Sequence, residues 1–143
     1  MLNKIPVVIQ LRLEQIQKAD LQEELRIDKF NLEKELRRQP GRYMWWAALY
    51  SEASAKVELL KDKLDHLESK LFSRYAKNHD RVSDVKHRVI LDLEYQKLKS
   101  RLRRWQDSER LLKYAEKAFS QRAMAIMGIN ANLRKEKASS DNE

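Results

Sequence analysis

At 143 residues, with 36% charged side chains and only two glycines and two prolines, the composition is that of one helical, coiled-coil-prone domain or elongated protomer and leaves little room for sheet. The lack of cysteine excludes a disulfide scaffold or a thiolate metal site and fits a reducing compartment. The formal charge of +8 is carried unevenly: seven acidic and four basic side chains lie between Glu14 and Glu35, ten basic and five acidic between Arg81 and Lys113. That polarity suits a polyanion at one region and a protein partner at another.

Taken in chain order, Ile5, Pro6, Val7, Val8 and Ile9 favour an extended arm or a frayed terminus over residues 1–10, and the patch is too short for a secretory signal. A first helix is predicted over about residues 11–38, with Leu13, Ile16, Leu21, Leu25, Leu32 and Leu36 on its apolar side and a weak point at Asp28–Asn31. Gln39-Pro40-Gly41 is predicted to end it, because proline lacks the helical donor. The expected organisation is an N-terminal arm and acidic helix over 1–41, a long antiparallel hairpin over 42–129 and a flexible polar tail over 130–143.

The hairpin prediction rests on two seams. Trp46, Tyr50, Ala53, Val57, Leu60, Leu64, Leu67 and Leu71 alternate four- and three-residue steps, a 3.5-residue period that keeps one stripe aimed at one neighbour. After a short polar connection with Ser83 as the expected N-cap and Asp84 in the first turn, a last helix is predicted from Asp84 to Met127, stopping at Gly128. It carries Leu91, Leu98, Trp105, Leu112, Phe119 and Ile126 at seven-residue intervals, with Leu102 beside them. A second apolar line, Leu111, Tyr114, Ala118, Ala125 and Ile129, lies on another side of this helix. One hairpin does not cover both lines, so Leu111, Tyr114, Ala118, Phe119 and Ile126 are assigned to contact with another subunit. The alternative is packing against the N-terminal helix of the same chain.

No catalytic or metal-binding pattern stands out. His66, His79 and His87 are isolated and read as surface histidines, and the only glycines, Gly41 and Gly128, make no phosphate-binding loop. No enzyme activity, metal or cofactor is expected. The longest apolar run, Met44 to Tyr50, is far short of the roughly 20 residues of a membrane span, so a soluble cytoplasmic protein is the expectation, in the host cytoplasm if the chain is phage-encoded.

Basic groups are more informative. Lys97, Lys99, Arg101, Arg103 and Arg104 crowd next to Trp105, and Lys97, Arg101 and Arg104 share a helix face that follows a phosphate backbone well. Arg37, Arg38 and Arg42 lie near Tyr43, Trp45 and Trp46. Trp46 and Trp105 occupy seam positions and read as core, which leaves Trp45 and Tyr43 as candidates for base stacking beside Arg42. Lys61 and Lys63 flank the first seam. A solvated face explains each group alone; three groups on one basic chain favour a nucleic-acid site.

Asp20-Leu21-Gln22-Glu23-Glu24-Leu25, then Asp28 and Phe30, Leu60-Lys61-Asp62-Lys63-Leu64-Asp65, Lys86, Leu102, Trp105, Leu111-Leu112, Ala118, Arg122 and Ala125-Ile126 together resemble the UvsY family of phage recombination mediators, over about residues 20–126. The resemblance implies a ring-shaped homo-oligomer of helical protomers, of about six or seven subunits. It implies binding to single-stranded DNA, with Lys61 and Lys63 in the family's DNA-binding element. Asp62 stands where that element has a small residue, and Lys63 where it has arginine. The partners it implies are a RecA-like recombinase and the single-strand-binding protein that the recombinase replaces. Two other readings fit the seams: a coiled-coil adaptor or scaffold protein of a phage without a nucleic-acid role, and an RNA-binding or nucleoid protein.

Overall fold

The computed structural model describes residues 18–78 and 81–141, with side chains from residue 21 onward. The expected arm over 1–10, the start of the first helix, His79 and the last two residues of the tail lie outside them. The described residues are all-helical, without a strand: α1 (Lys18–Leu25), a 3-10 turn (Lys29–Asn31), α2 (Leu32–Ala76), α3 (Val82–Leu91) and α4 (Leu93–Ser140). They divide into two compact units, Ser51–Arg110 and the combination of Met1–Tyr50 with Leu111–Glu143, and α2 and α4 contribute a segment to each.

In the Ser51–Arg110 unit the first seam packs as its period requires. Ala53, Val57, Leu60, Leu64, Leu67 and Leu71 of α2 are buried with Val85 and Val89 of α3 and Tyr95, Leu102 and Trp105 of α4. Ser54 Oγ donates to Glu109 at 2.8 Å and Tyr75 Oη to Asp92 at 2.7 Å. Moving forward along α2 moves backward along α4, so the two segments are antiparallel.

The predicted single last helix is two helices. Asp92 has extended backbone, φ −63° and ψ 131°, and its Oδ1 accepts from the N–H groups of Glu94 at 2.9 Å and Tyr95 at 3.3 Å. It caps α4 in the way a short acceptor side chain caps any helix start. The break puts the predicted seam residue Leu91 at the end of α3, where it is exposed; within α4 Tyr95 joins Leu102 and Trp105 in the core and Leu98 is half-buried. Ser83 is not a cap: α3 starts at Val82, with Arg81 at the N-cap position and no side-chain cap bond. Asp84 does lie in the first turn, favourably placed against the helix dipole.

In the other unit the helix break predicted at Pro40-Gly41 is absent, and α2 passes through both residues. The heptad of Trp46 runs back through Gln39 to Leu32, all three buried, and tertiary contacts on that face hold the helix across the missing donor. Trp46 stacks on Phe119 with centroids 5.6 Å apart and planes 16° from parallel. Tyr43 Oη donates to Glu116 at 2.8 Å and Gln39 Nε2 to the Phe119 carbonyl at 2.8 Å. These pairings again run antiparallel. Gly128 does not end α4, which continues to Ser140 with no residue in the left-handed region, so 130–140 are helical where a polar tail was expected. Lys, Arg, Glu and Ala in that stretch favour helix, and no φ > 0 is needed.

Phe119 and Ile126, assigned from sequence to subunit contact, are fully buried inside the chain. The helix they belong to packs on its own α2, with Phe119 against Trp46 and Gln39, which is the seam-to-seam pairing that their seven-residue spacing also predicts. Leu111 and Tyr114 are exposed and Ala118 is half-buried.

The device that holds α1 is polar. Arg122, in the seam of α4 and buried, donates from Nε to the Leu25 carbonyl at 3.0 Å, from Nη2 to the Arg26 carbonyl at 2.8 Å and to Glu35, and from Nη1 to Gln39. A cation at the last carbonyls of α1 complements that helix end. Asp28 accepts from the Phe30 N–H at 3.0 Å and starts the 3-10 turn, so the weak point read at Asp28–Asn31 is a real interruption.

Candidate nucleic-acid interface

A coiled-coil hairpin leaves a shallow trough on each side of its seam, edged by the residues next to the apolar positions. In the Ser51–Arg110 unit one trough is lined by Lys63, His66, Leu67 and Lys70 from α2 and by Glu94, Lys97, Leu98 and Arg101 from α4. Leu67 and Leu98 form its apolar floor. Four cations stand on its rims against one carboxylate. Lys56, one heptad before Lys63, belongs to the same edge: burial first, then the charges of Arg101 and Lys63, push its ammonium pKa down. Flanking positions of a coiled coil are ordinarily of opposite sign across the seam. Here lysines at 56, 63 and 70 face Lys97 and Arg101, an arrangement that repels itself until an anion enters.

The sequence-derived candidates separate on this geometry. Lys63, Lys97 and Arg101 come together in the trough. Arg104 is exposed one turn beyond Arg101, and Arg103 is exposed on a different side of α4. Lys61 is outside the trough: its Nζ donates to Glu58 at 2.8 Å, and that bond, with Glu109 nearby, raises its pKa. Arg42 and Trp45 are in the other unit. Arg42 Nη1 reaches the Glu24 carbonyl at 3.3 Å, and Trp45 stands edge-on to Trp46 with centroids 4.9 Å apart and planes at 87°. Glu24, Gly41, Arg42 and the two tryptophans edge a small depression. Tyr43, the other stacking candidate, is tied to Glu116, whose hydrogen bond raises the phenol pKa.

Lys56, His66 and Lys70 were missed in the sequence. The signal was present, since Lys56, Lys63 and Lys70 are heptad-spaced, but it needs the partner helix to show that α4 presents cations to the same edge. Among the described residues no three His, Asp or Glu side chains cluster to hold a metal ion, and no helix is long and apolar enough to cross a membrane.

Fold and trough define an all-helical protein with coiled-coil-like packing and a like-charged groove beside its seam. Compared with family models, curated proteins and solved structures, the chain matches none.

Proposed function

We propose that this protein is a recombination mediator that binds single-stranded DNA in the trough of Lys63, Lys70, Lys97 and Arg101 and promotes loading of a RecA-like recombinase in place of single-strand-binding protein. The observation that carries the binding part is the facing of like charges across the seam. A flexible backbone of phosphates relieves that repulsion, and the apolar floor of Leu67 and Leu98 accepts sugar or base edges. A trough between two packed helices, whose axes lie about 10 Å apart, is narrow for a duplex and open to one strand. The mediator part rests on the resemblance to the UvsY family. Assembly into a ring, with exposed Leu111 and Tyr114 at the subunit contact, would repeat the trough and add avidity without sequence preference.

Anisotropy of a labelled oligonucleotide across a salt series tests the binding part. Replacing Lys63, Lys97 and Arg101 together by glutamine lowers affinity and reduces the slope of log K against log salt by about 2, at roughly 0.7 for each phosphate no longer neutralised. Lys61→Gln and Arg103→Gln serve as controls and leave the slope nearly unchanged. An unaltered slope in the triple variant overturns the site, and absence of binding at low salt favours the adaptor reading. Stimulation of recombinase filament assembly on DNA covered by single-strand-binding protein tests the mediator part.

A further inference from the structure

The trough contains one side chain of the kind that changes charge between pH 5 and 8, the imidazole of His66. His66 is exposed on the α2 edge, three residues after Lys63 and four before Lys70, so the three lie on one side of the helix. Lys63 and Lys70 are about 10 Å apart along the axis, and His66 stands in the interval. Across the seam the charged groups of α4 that line the same trough are Glu94, Lys97 and Arg101, and α3 contributes no side chain to that lining. On α2 itself Asp62 is four residues before His66 and Asp65 is next to it. In the empty trough Lys63, Lys70, Lys97 and Arg101 oppose a further positive charge. The cost of crowding charge here is visible at Lys56, whose ammonium pKa is pushed down by burial and then by the charges of Arg101 and Lys63.

We infer, on the reading of the trough as a nucleic-acid site, that His66 is a proton-coupled phosphate ligand: a single strand entering the trough draws a proton onto the imidazole, which then donates to a phosphate oxygen between those held by Lys63 and Lys70. Linkage fixes the direction of the effect. A phosphate cancels the repulsion of the rim cations and adds an attraction of its own, so the imidazolium is favoured more in the bound state than in the free one. Asp62, Asp65 and Glu94 favour the imidazolium in both states, and most of their effect drops out of the difference. Binding therefore takes up a proton and tightens as pH falls. With the imidazole neutral, the interval between Lys63 and Lys70 offers no cation, and the same trough holds a strand more loosely at alkaline pH.

The test measures binding of the full chain to a labelled oligothymidylate without terminal phosphates at about pH 8 and pH 5.5, a window above the ordinary carboxylate values and below the ordinary lysine value. Affinity of the wild type rises about fivefold toward the acid end, a difference of one pKa unit between free and bound states being worth at most about tenfold. The slope of log K against log salt steepens there by up to about 0.7, for one more phosphate neutralised. His66→Gln binds at both pH values as weakly as the wild type at pH 8, His66→Lys binds at both as tightly as the wild type at pH 5.5, and each keeps its helical circular dichroism. His87→Gln, on α3 and outside the trough lining, keeps the wild-type response. A wild-type affinity that does not rise in acid, or a rise that His66→Gln retains, overturns the inference. So does a rise lost in Glu94→Gln and kept in His66→Gln, which assigns the titration to that carboxylate. The trough itself is tested separately by the salt slope of the Lys63, Lys97 and Arg101 variant at pH 8, so a trough that binds DNA without a pH response is told apart from one that does not bind it.

Discussion

Arg122 sits where a seam residue of α4 is expected to be apolar, and its guanidinium makes four hydrogen bonds there, to Leu25, Arg26, Glu35 and Gln39. Gln39, the facing seam residue of α2, donates in turn to the Phe119 carbonyl. A polar pair at matching positions of two otherwise apolar seams fixes register, since a slip of either helix strands buried polar atoms. Arg122→Met should therefore cost about 3–5 kcal/mol in denaturant unfolding, the scale for removing one partner of a buried charged network. Limited proteolysis should also cut near Arg26 much faster, because α1 loses the cation at its last carbonyls. The Glu35 carboxyl is held below its ordinary value mainly by the Arg122 hydrogen bond, against burial, with Arg122 and Arg42 charge adding to the effect. A depressed carboxylate pKa stabilises the fold above the unfolded value and loses that contribution as pH falls through the folded one. The acid side of the stability profile, below about pH 4.5, should accordingly flatten in Glu35→Gln, and an unchanged acid limb would remove Glu35 from this account.

At the scale of elements, helix breakers decided less than packing did. Pro40 and Gly41 are exposed in the middle of α2, and an added Cβ at Gly41 meets nothing within 4 Å. The helix is kept by the buried face on either side of them, Leu32 and Gln39 before and Trp46 after. Pro40→Ala restores a donor toward the Leu36 carbonyl and should raise stability by about 1–3 kcal/mol. Gly41→Ala should add about 0.5–1 kcal/mol. Thermal melts of the two variants check both, and a drop in stability for either would mean that the helix needs a bend at this point. The converse case is Asp92, which looks like an ordinary exposed residue in a helical pattern and instead ends one helix and caps the next. Its hydrogen bond to Tyr75, 17 residues earlier, was invisible to periodicity, so Leu91 was read as a seam residue although it ends α3 and is exposed, while Trp105 and Leu112, within α4, are buried as the seam requires.

For the whole molecule, burial of the Lys56 ammonium, with the charges of Arg101 and Lys63 adding to it, has a stability consequence. The lowered pKa of Lys56 means that the folded chain holds this proton less tightly than the unfolded one. Its charge therefore opposes folding at neutral pH, and the opposition disappears as pH rises toward the ordinary lysine value of 10.5. Lys56→Met keeps the apolar stem and removes the charge. It should raise the melting temperature at low salt, by an amount corresponding to at most about 1 kcal/mol for a surface group, with the gain shrinking at high salt or pH above 10.5. The same variant should bind oligonucleotide more weakly, and a stability gain with unchanged binding would separate Lys56 from the trough.

The sequence by itself determined the helical class, the α2 seam from Trp46 to Leu71 and the identity of most cations, because a 3.5-residue apolar period and net charge are properties of a chain read one helix at a time. It also placed Lys61 and Lys63 on opposite shoulders of that seam, and the trough on one side of the seam is lined by Lys63 and not by Lys61. Only the tertiary structure decided which cations share an edge, that Phe119 and Ile126 are internal, that α2 survives Pro40 and that Arg122 is a seam residue. Each of those depends on what a second helix presents at the same height, and the antiparallel pairing brings Arg122 to Glu35 across 87 residues of sequence.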